Sequence, residues 1–356
     1  MPDLPRFPRA APRFVPHRVL RVARAAALAA VAFGACVAAA PLGAQQLPDT
    51  TFRPPVPHPA FASGAGPRLC LDEAHHNFHT LDNRFRAFGE LARRDGYRVA
   101  PLRAAFSAAS LGACDLLVIS NAQWNDTPWT QYPAPTPSAF AADEIRAVRA
   151  WVERGGALLL IADHMPLAGA AKDLAAAFGA EFTDGFAFKR AAPGEAIDAG
   201  RGVPTLFRTA GTARPADTAL AGPGPDGALA DHPVTRGRDA SERVTMVRSF
   251  TGQAFRMTSP GATPVMTLPA DFVSLEPRHA WQFSAETHVR DVGGWLQGAT
   301  EMVGRGRAAF FGEAAMFSAQ VAGAEKSPMG MNAPMAEQNP RFVLNVLHWL
   351  SGLLGH

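Results

Sequence analysis

Gly155-Gly156-Ala157-Leu158-Leu159-Leu160-Ile161-Ala162-Asp163-His164-Met165-Pro166 decides the fold. Ala157 to Ile161 is too uniformly apolar for a strand with one wet face, so it reads as a parallel strand covered by helices on both sides. The run stops at Asp163-His164, two ionisable residues where a buried strand surfaces. Pro166 and Gly169 then break the chain before a helical pattern from Ala170 to Phe178. In open α/β sheets ligands bind just beyond the carboxyl ends of the strands, which makes Asp163 and His164 the first candidates for chemistry.

Upstream of that strand the same alternation repeats. Arg68 to Asp72, Tyr97 to Ala100 and Asp115 to Asn121 read as strands. Leu81, Phe85, Phe88 and Leu91 fall at helical spacing after Thr80, a residue suited to an N-cap. Ala141 to Arg154 is amphipathic, with Ile145, Val148, Trp151 and Val152 on one side. Strand–helix alternation of this kind predicts an α/β, flavodoxin-like, doubly wound and mainly parallel sheet with helices on both faces. Trp295–Val303 and Arg307–Phe311, joined by Gly304-Arg305-Gly306, predict a C-terminal hairpin. A last helix, Pro340 to Leu354, follows it. Residues 189–242 are rich in Gly, Pro and Ala and read as an irregular excursion.

Residues 1–44 carry six arginines ahead of an apolar run, Ala25 to Ala40, and end in Leu42-Gly43-Ala44. That is the pattern of a secretory signal peptide. The alternatives are a membrane anchor, for which about 16 apolar residues is short, and a lipoprotein site at Cys36. Residues 45–66 read as an extended linker and 67–354 as one domain, exported to the periplasm or beyond, with no transmembrane span after the leader. The whole chain has 34 Lys+Arg against 31 Asp+Glu. Without the leader the balance is 28 against 30, about −2, so the pI of 9.0 belongs to the leader and no nucleic-acid partner is implied. Cys70 and Cys114, placed in parallel neighbours about five residues out of register, would lie roughly 16 Å apart, which predicts buried free thiols.

Four strand ends deliver polar groups to one rim. Asp72-Glu73-Ala74-His75-His76-Asn77-Phe78-His79 packs acids and imidazoles densely after the first strand. Such a set suits proton transfer or a divalent metal, for which His75, His76, Asp163 and His164 are the available ligands. Individually these residues are equally suited to satisfying loop amides, and the spacing matches no standard zinc motif. Asn121 and Glu313 end two further strands, and for Glu313 the alternative is a carboxylate facing a helix N-terminus. Glu73, His76, Asp163, His164 and Glu313 are therefore the catalytic candidates. His75, Asn77, Asn121, Trp124 and Asn339 are the candidates for ligand binding. Trp124 and Trp129 lie in a loop, Gln123 to Pro137, long enough to cover a site. Asn332, Gln338 and Asn339 lie in a second loop that could fold over the rim. No GxSxG or P-loop occurs in a strand–helix context.

These motifs together resemble the class I glutamine-amidotransferase-like superfamily, in its non-amidotransferase members. Those include ThuA-like proteins and the uncharacterised domain related to gliding-type ABC transport components. The resemblance is carried by the Asp72–Asn77 run, Ser120-Asn121, Trp151-Val152-x-x-Gly155-Gly156, Asp231-His232-Pro233-Val234-Thr235 and Asn345-x-x-His348-Trp349-Leu350. It implies a flavodoxin-like sheet with the functional residue just after the Gly156–Ala162 strand. A working amidotransferase has a cysteine nucleophile there, and this chain has Asp163-His164-Met165. Three functions follow as expectations: binding or processing of a small polar, carbohydrate-related ligand; a water-activating hydrolase, with or without metal; and a non-catalytic assembly domain with an envelope partner.

Overall fold

The computed structural model describes residues 46–201, 203–213 and 226–355. The leader, with Cys36, lies outside them. The first half of the chain supplies β1 (Gln46–Pro48), β2 (Arg68–Asp72), β3 (Arg98–Leu102), β4 (Leu116–Ser120) and β5 (Ala157–Ile161). Between these strands run helices α1 (Arg86–Arg94), α2 (Ala108–Leu111) and α3 (Ala142–Glu153), and α4 (Leu167–Ala176) follows β5. Then come β6 (Ala180–Phe182), β7 (Phe186–Lys189), β8 (Thr205–Arg208), β9 (Asp226–Leu229), the short α5 (Pro233–Arg236), β10 (Met246–Ser249), β11 (Phe255–Met257) and β12 (Ala262–Thr267). The chain closes with β13 (Phe272–Glu276), β14 (His288–Asp291), β15 (Leu296–Val303), β16 (Gly306–Phe311), β17 (Ala319–Ala322), β18 (Ser327–Gly330) and α6 (Asn339–Leu350).

The main sheet runs β10-β8-β9-β12-β15-β16-β5-β4-β2-β3, with β11 and β6 attached through β15. Its β16-β5-β4-β2-β3 half is parallel throughout. From β15 outward most pairings are antiparallel, β8 with β9 excepted. The sheet is therefore mixed, with a flavodoxin-like parallel half centred on β5.

Alternation along the parallel strands divides the core between two faces. Leu69, Leu71, Leu116, Val118, Leu159, Ile161 and Phe311 pack with α1 and α6. Cys70, Leu117, Ile119, Leu158, Leu160 and Phe310 pack with α3 and α4. Each fully buried leucine of β5 contributes about 1.5–3 kcal/mol of transfer free energy, and no residue of β5 has a wet side. The turn into β5 shows why its two glycines are needed. Gly155 has φ +116°, and a Cβ on Gly156 would lie 2.4 Å from the Trp151 ring.

Four expectations need correction. The helix after β2 starts at Arg86 rather than after Thr80, because residues 81–85 form turns. The 189–242 segment is not wholly irregular: β8 and β9 extend the main sheet. Within the stretch read as linker, β1 pairs with β17. Cys70 and Cys114 are not free thiols but a disulfide with Cα atoms 5.7 Å apart. Cys114 precedes β4, in the turn leaving α2, where its amide bonds to Leu111. Strand register therefore does not set its distance from Cys70. A small three-stranded arm, β14-β13-β7, has no counterpart among the sequence expectations.

Candidate functional site

Because β2, β4, β5 and β16 run parallel, their carboxyl ends share one edge. Asp72, Asn121, Asp163 and Glu313 end or follow these strands, and all are buried.

The loop after β2 is built inward. Asp72 accepts from the Ala74 amide, the Asn77 side chain at 3.0 Å and His75 Nδ1 at 2.8 Å. The other ring nitrogen of His75, Nε2, lies 3.0 Å from Glu144 on α3. Burial pulls the His75 pKa down, but the carboxylates at its two ring nitrogens outweigh that and hold it above the ordinary value. Asn77 Oδ1 accepts the His75 amide. Glu73 accepts from the Leu81 amide and pairs with Arg103. His76 has φ 48° and an exposed side chain 2.9 Å from Asp126. His79 is buried against Ser120 and Phe85, and burial holds its pKa well below the ordinary value.

The ends of β4, β5 and β16 meet more closely. Asn121, at φ 49°, accepts the Asp163 amide on its side-chain oxygen, and Asp163 in turn accepts the His164 amide. Glu313 accepts the amides of Ala315 at 2.6 Å and Met316 at 2.9 Å, so it caps the short 3-10 turn that follows β16. Burial raises the Asp163 pKa against the opposing effect of His164 and neighbouring amides. Burial and then the charge of Asp163 push Glu313 well above the usual carboxylate range. A buried carboxyl in the field of a second one ionises only at a cost, which favours the protonated form of Glu313.

His164 and Asn121 are the groups in this cluster whose side-chain nitrogens are not all spent: no hydrogen bond among the described residues uses Asn121 Nδ2. The Nδ1 of His164 lies 2.7 Å from the Met165 carbonyl, an acceptor only, so Nδ1 carries the hydrogen and donates. In the neutral ring Nε2 is then an acceptor, and no hydrogen bond among the described residues uses it. The imidazole stacks on Phe186 at 4.7 Å and meets Trp281 at 4.6 Å and Trp129 at 5.9 Å, both edge to face.

The remaining candidates lie apart from this cluster. Trp124 is exposed and rests its ring on Tyr132. Asn339 pairs through both side-chain atoms with the backbone of Arg248, and Gln338 bonds the start of β10, so this loop is stapled to the sheet rather than folded over the rim. His232 caps α5 with Nδ1 and bonds Thr300 with Nε2, which gives the Asp231–Thr235 motif a structural role. Asn345 and His348 tie α6 to residues outside the rim. Among the described residues no three His, Cys, Asp or Glu side chains converge to hold a metal ion. His75 is enclosed by Asp72 and Glu144, and His76 faces Asp126, so the four ligands considered for a metal do not form one site.

Sequence reasoning missed Phe186 and Trp281, the walls around His164. Trp281 carried no motif, but a tryptophan in a polar loop between strands was an available signal.

No protein-family model matches the chain, and no curated protein does. Among solved structures it is similar to the mmIFT52 N-terminal domain, at 11% identity and a TM-score of 0.49, over 80% of this chain and 97% of that one. It is also similar to a protein described as ThuA-like from Bacteroides uniformis, at 11% identity and TM-score 0.44, over 82% and 95% of the two chains. A third similarity is to a protein described as a GMP synthase component from Thermoplasma acidophilum, at 8% identity and TM-score 0.38, over 80% and 94%. The α/β class itself rests on the strand order.

Proposed function

We propose that this chain is an exported binding domain for a small, polar, hydroxyl-bearing ligand at the carboxyl ends of the parallel strands, with His164 as its recognition group. One observation carries the reading. His164 sits at the end of the central strand inside aromatic walls, its tautomer fixed by Met165 and its Nε2 unused, while Glu73, His75, Asn77 and Asn339 spend their polar atoms within the protein. Asn121 beside it keeps only its side-chain oxygen occupied, by the Asp163 amide. An acceptor among rings selects a ligand offering an O–H or N–H and an apolar face, as carbohydrates do. The Cys70–Cys114 disulfide supports export, since such bonds persist in oxidising compartments. No helix of the described residues is long and apolar enough to cross a membrane.

The test is a thermal-shift screen of neutral mono- and disaccharides and polyols, followed by calorimetry on the best binder. His164→Ala is expected to weaken binding by at least about tenfold, the loss of one well-placed hydrogen bond. A panel without any binder, or a binder indifferent to His164→Ala, rejects the reading. The buried Asp163–Glu313 pair favours a second reading, a hydrolase in which a proton on Glu313 serves as general acid. Turnover of p-nitrophenyl glycosides or esters that Glu313→Gln abolishes would establish it.

A further inference from the structure

We propose that Trp281 is the gate to His164, moving between its present place against the imidazole and the cavity on the outer side of its own loop. The inference rests on the reading of His164 as recognition group. His164 is 7% exposed, so a ligand reaches its ring only if part of the wall moves.

The three aromatic walls differ in how they are held. Phe186 is fully buried in β7 and paired to β13. Trp129 donates its indole N–H to Gln123. Trp281 belongs to the β13–β14 loop and has φ 67°, the left-handed region that a bulky side chain occupies only under constraint. The hydrogen bonds of that loop stay within it: Gln282 to His279, Ser284 to Thr287, Glu286 to Ser284 and Thr287 to Ser284. What holds Trp281 inward is ring contact with Phe186 at 4.5 Å and the Arg201 guanidinium 4.7 Å from its ring centre.

The destination is also present. An open cavity of about 640 Å³ is lined by the residues flanking Trp281, His279, Gln282 and Phe283, together with Glu276, Glu286 and His288. Trp281 itself is turned away from this cavity, toward His164. Returning its backbone to an ordinary φ relieves the constraint and swings the indole outward into that space. Strain and aromatic contacts thus oppose one another across one residue, which is the condition for two populated positions.

Access is measured with diethylpyrocarbonate on the full chain, following acylation of each histidine by peptide mass spectrometry. Trp281→Gly is expected to raise the His164 rate tenfold or more, and Arg201→Ala about threefold. Buried His232 and exposed His58, neither of which lines that cavity, should keep their rates in both variants. Arg201→Ala, at the surface, carries the same test if Trp281→Gly does not fold. A fixed plug is separated from a gate by ¹⁹F NMR of the 5-fluorotryptophan protein, with the Trp281 resonance identified by its loss in Trp281→Phe. A gate gives exchange between two positions, shifted by Arg201→Ala. A single non-exchanging resonance, or a His164 rate unchanged in the variants, overturns the proposal. Neither result depends on a ligand, so the gate can fail while the loss of binding in His164→Ala stands.

Discussion

Two regions of this molecule bury ionisable groups, and they do so in opposite ways. At the amino end of β3, Asp95 lies 2.6 Å from His348, while Glu242 pairs with Arg238 and Arg341, and Asn345 donates to the Val234 and Glu242 carbonyls. The Glu242 carboxylate there faces two guanidinium groups, and the Asp95 carboxylate faces an imidazole nitrogen. At the rim, Glu313 forms no ion pair among the described residues, and burial and then the charge of Asp163 raise its pKa instead. The first arrangement fastens α6 to the sheet. The second costs stability and lies at the carboxyl ends of the parallel strands, where the proposed site is placed.

Breaking the brace should have the largest effect. Glu242→Ala leaves Arg238 and Arg341 without their buried partner, and chemical denaturation should show a loss of about 3–5 kcal/mol. A smaller loss would mean that the contrast is one of geometry and not of energy. Next comes the disulfide, which spans 44 residues. Replacing Cys70 and Cys114 together with alanine is expected to cost about 2–4 kcal/mol by the same assay.

pH sharpens the comparison. His232 is pushed down to about 4 by burial and by Arg236. A base depressed in the folded state contributes stability above its unfolded value of about 6.5, and this is lost as pH falls from there toward 4, up to about 3 kcal/mol. His232→Asn keeps a cap and should remove that acid sensitivity, read as denaturation midpoints at pH 7 and 4.5. Glu313 has the opposite sign. Its raised pKa favours the folded state at acid pH, and that advantage disappears as pH rises through the folded value. Glu313→Gln should therefore lie closer to, or above, wild-type stability at pH 8 than at pH 4. It also loses one acceptor for the amides of Ala315 and Met316, a cost that does not vary with pH. A variant offset equal at both pH values would show that no proton is held at Glu313.

The parallel half of the fold was legible because both faces of its central strands β4 and β5 are covered, leaving uninterrupted apolar runs such as Leu116–Ile119 and Leu158–Ile161. The antiparallel half was harder to read. β8 and β9 are four residues each, in Gly- and Pro-rich surroundings, and their assignment depends on partners far along the chain. Asp163, His164, Asn121 and Glu313 were named from strand ends alone, and the parallel pairing gathers them on one edge. Which polar atoms remain free could not be read, because that is settled by backbone amides: those of Ala315 and Met316 occupy Glu313, and that of Asp163 occupies Asn121. The disulfide was missed because Cys114 was assigned to a strand it precedes.

The pairing of β5 with β16 has a consequence for how the molecule is made. Leu158 to Ile161 find one neighbour, β4, about 40 residues earlier, but the other lies about 150 residues later. At roughly 5–20 residues per second of synthesis, the most apolar strand of the chain waits on the order of ten seconds with one edge open. Such an edge invites pairing with a wrong strand. The order of emergence thus makes the C-terminal hairpin the step that seals the nascent domain, and a chain stopped before Gly306 leaves its central strand as a surface for aggregation.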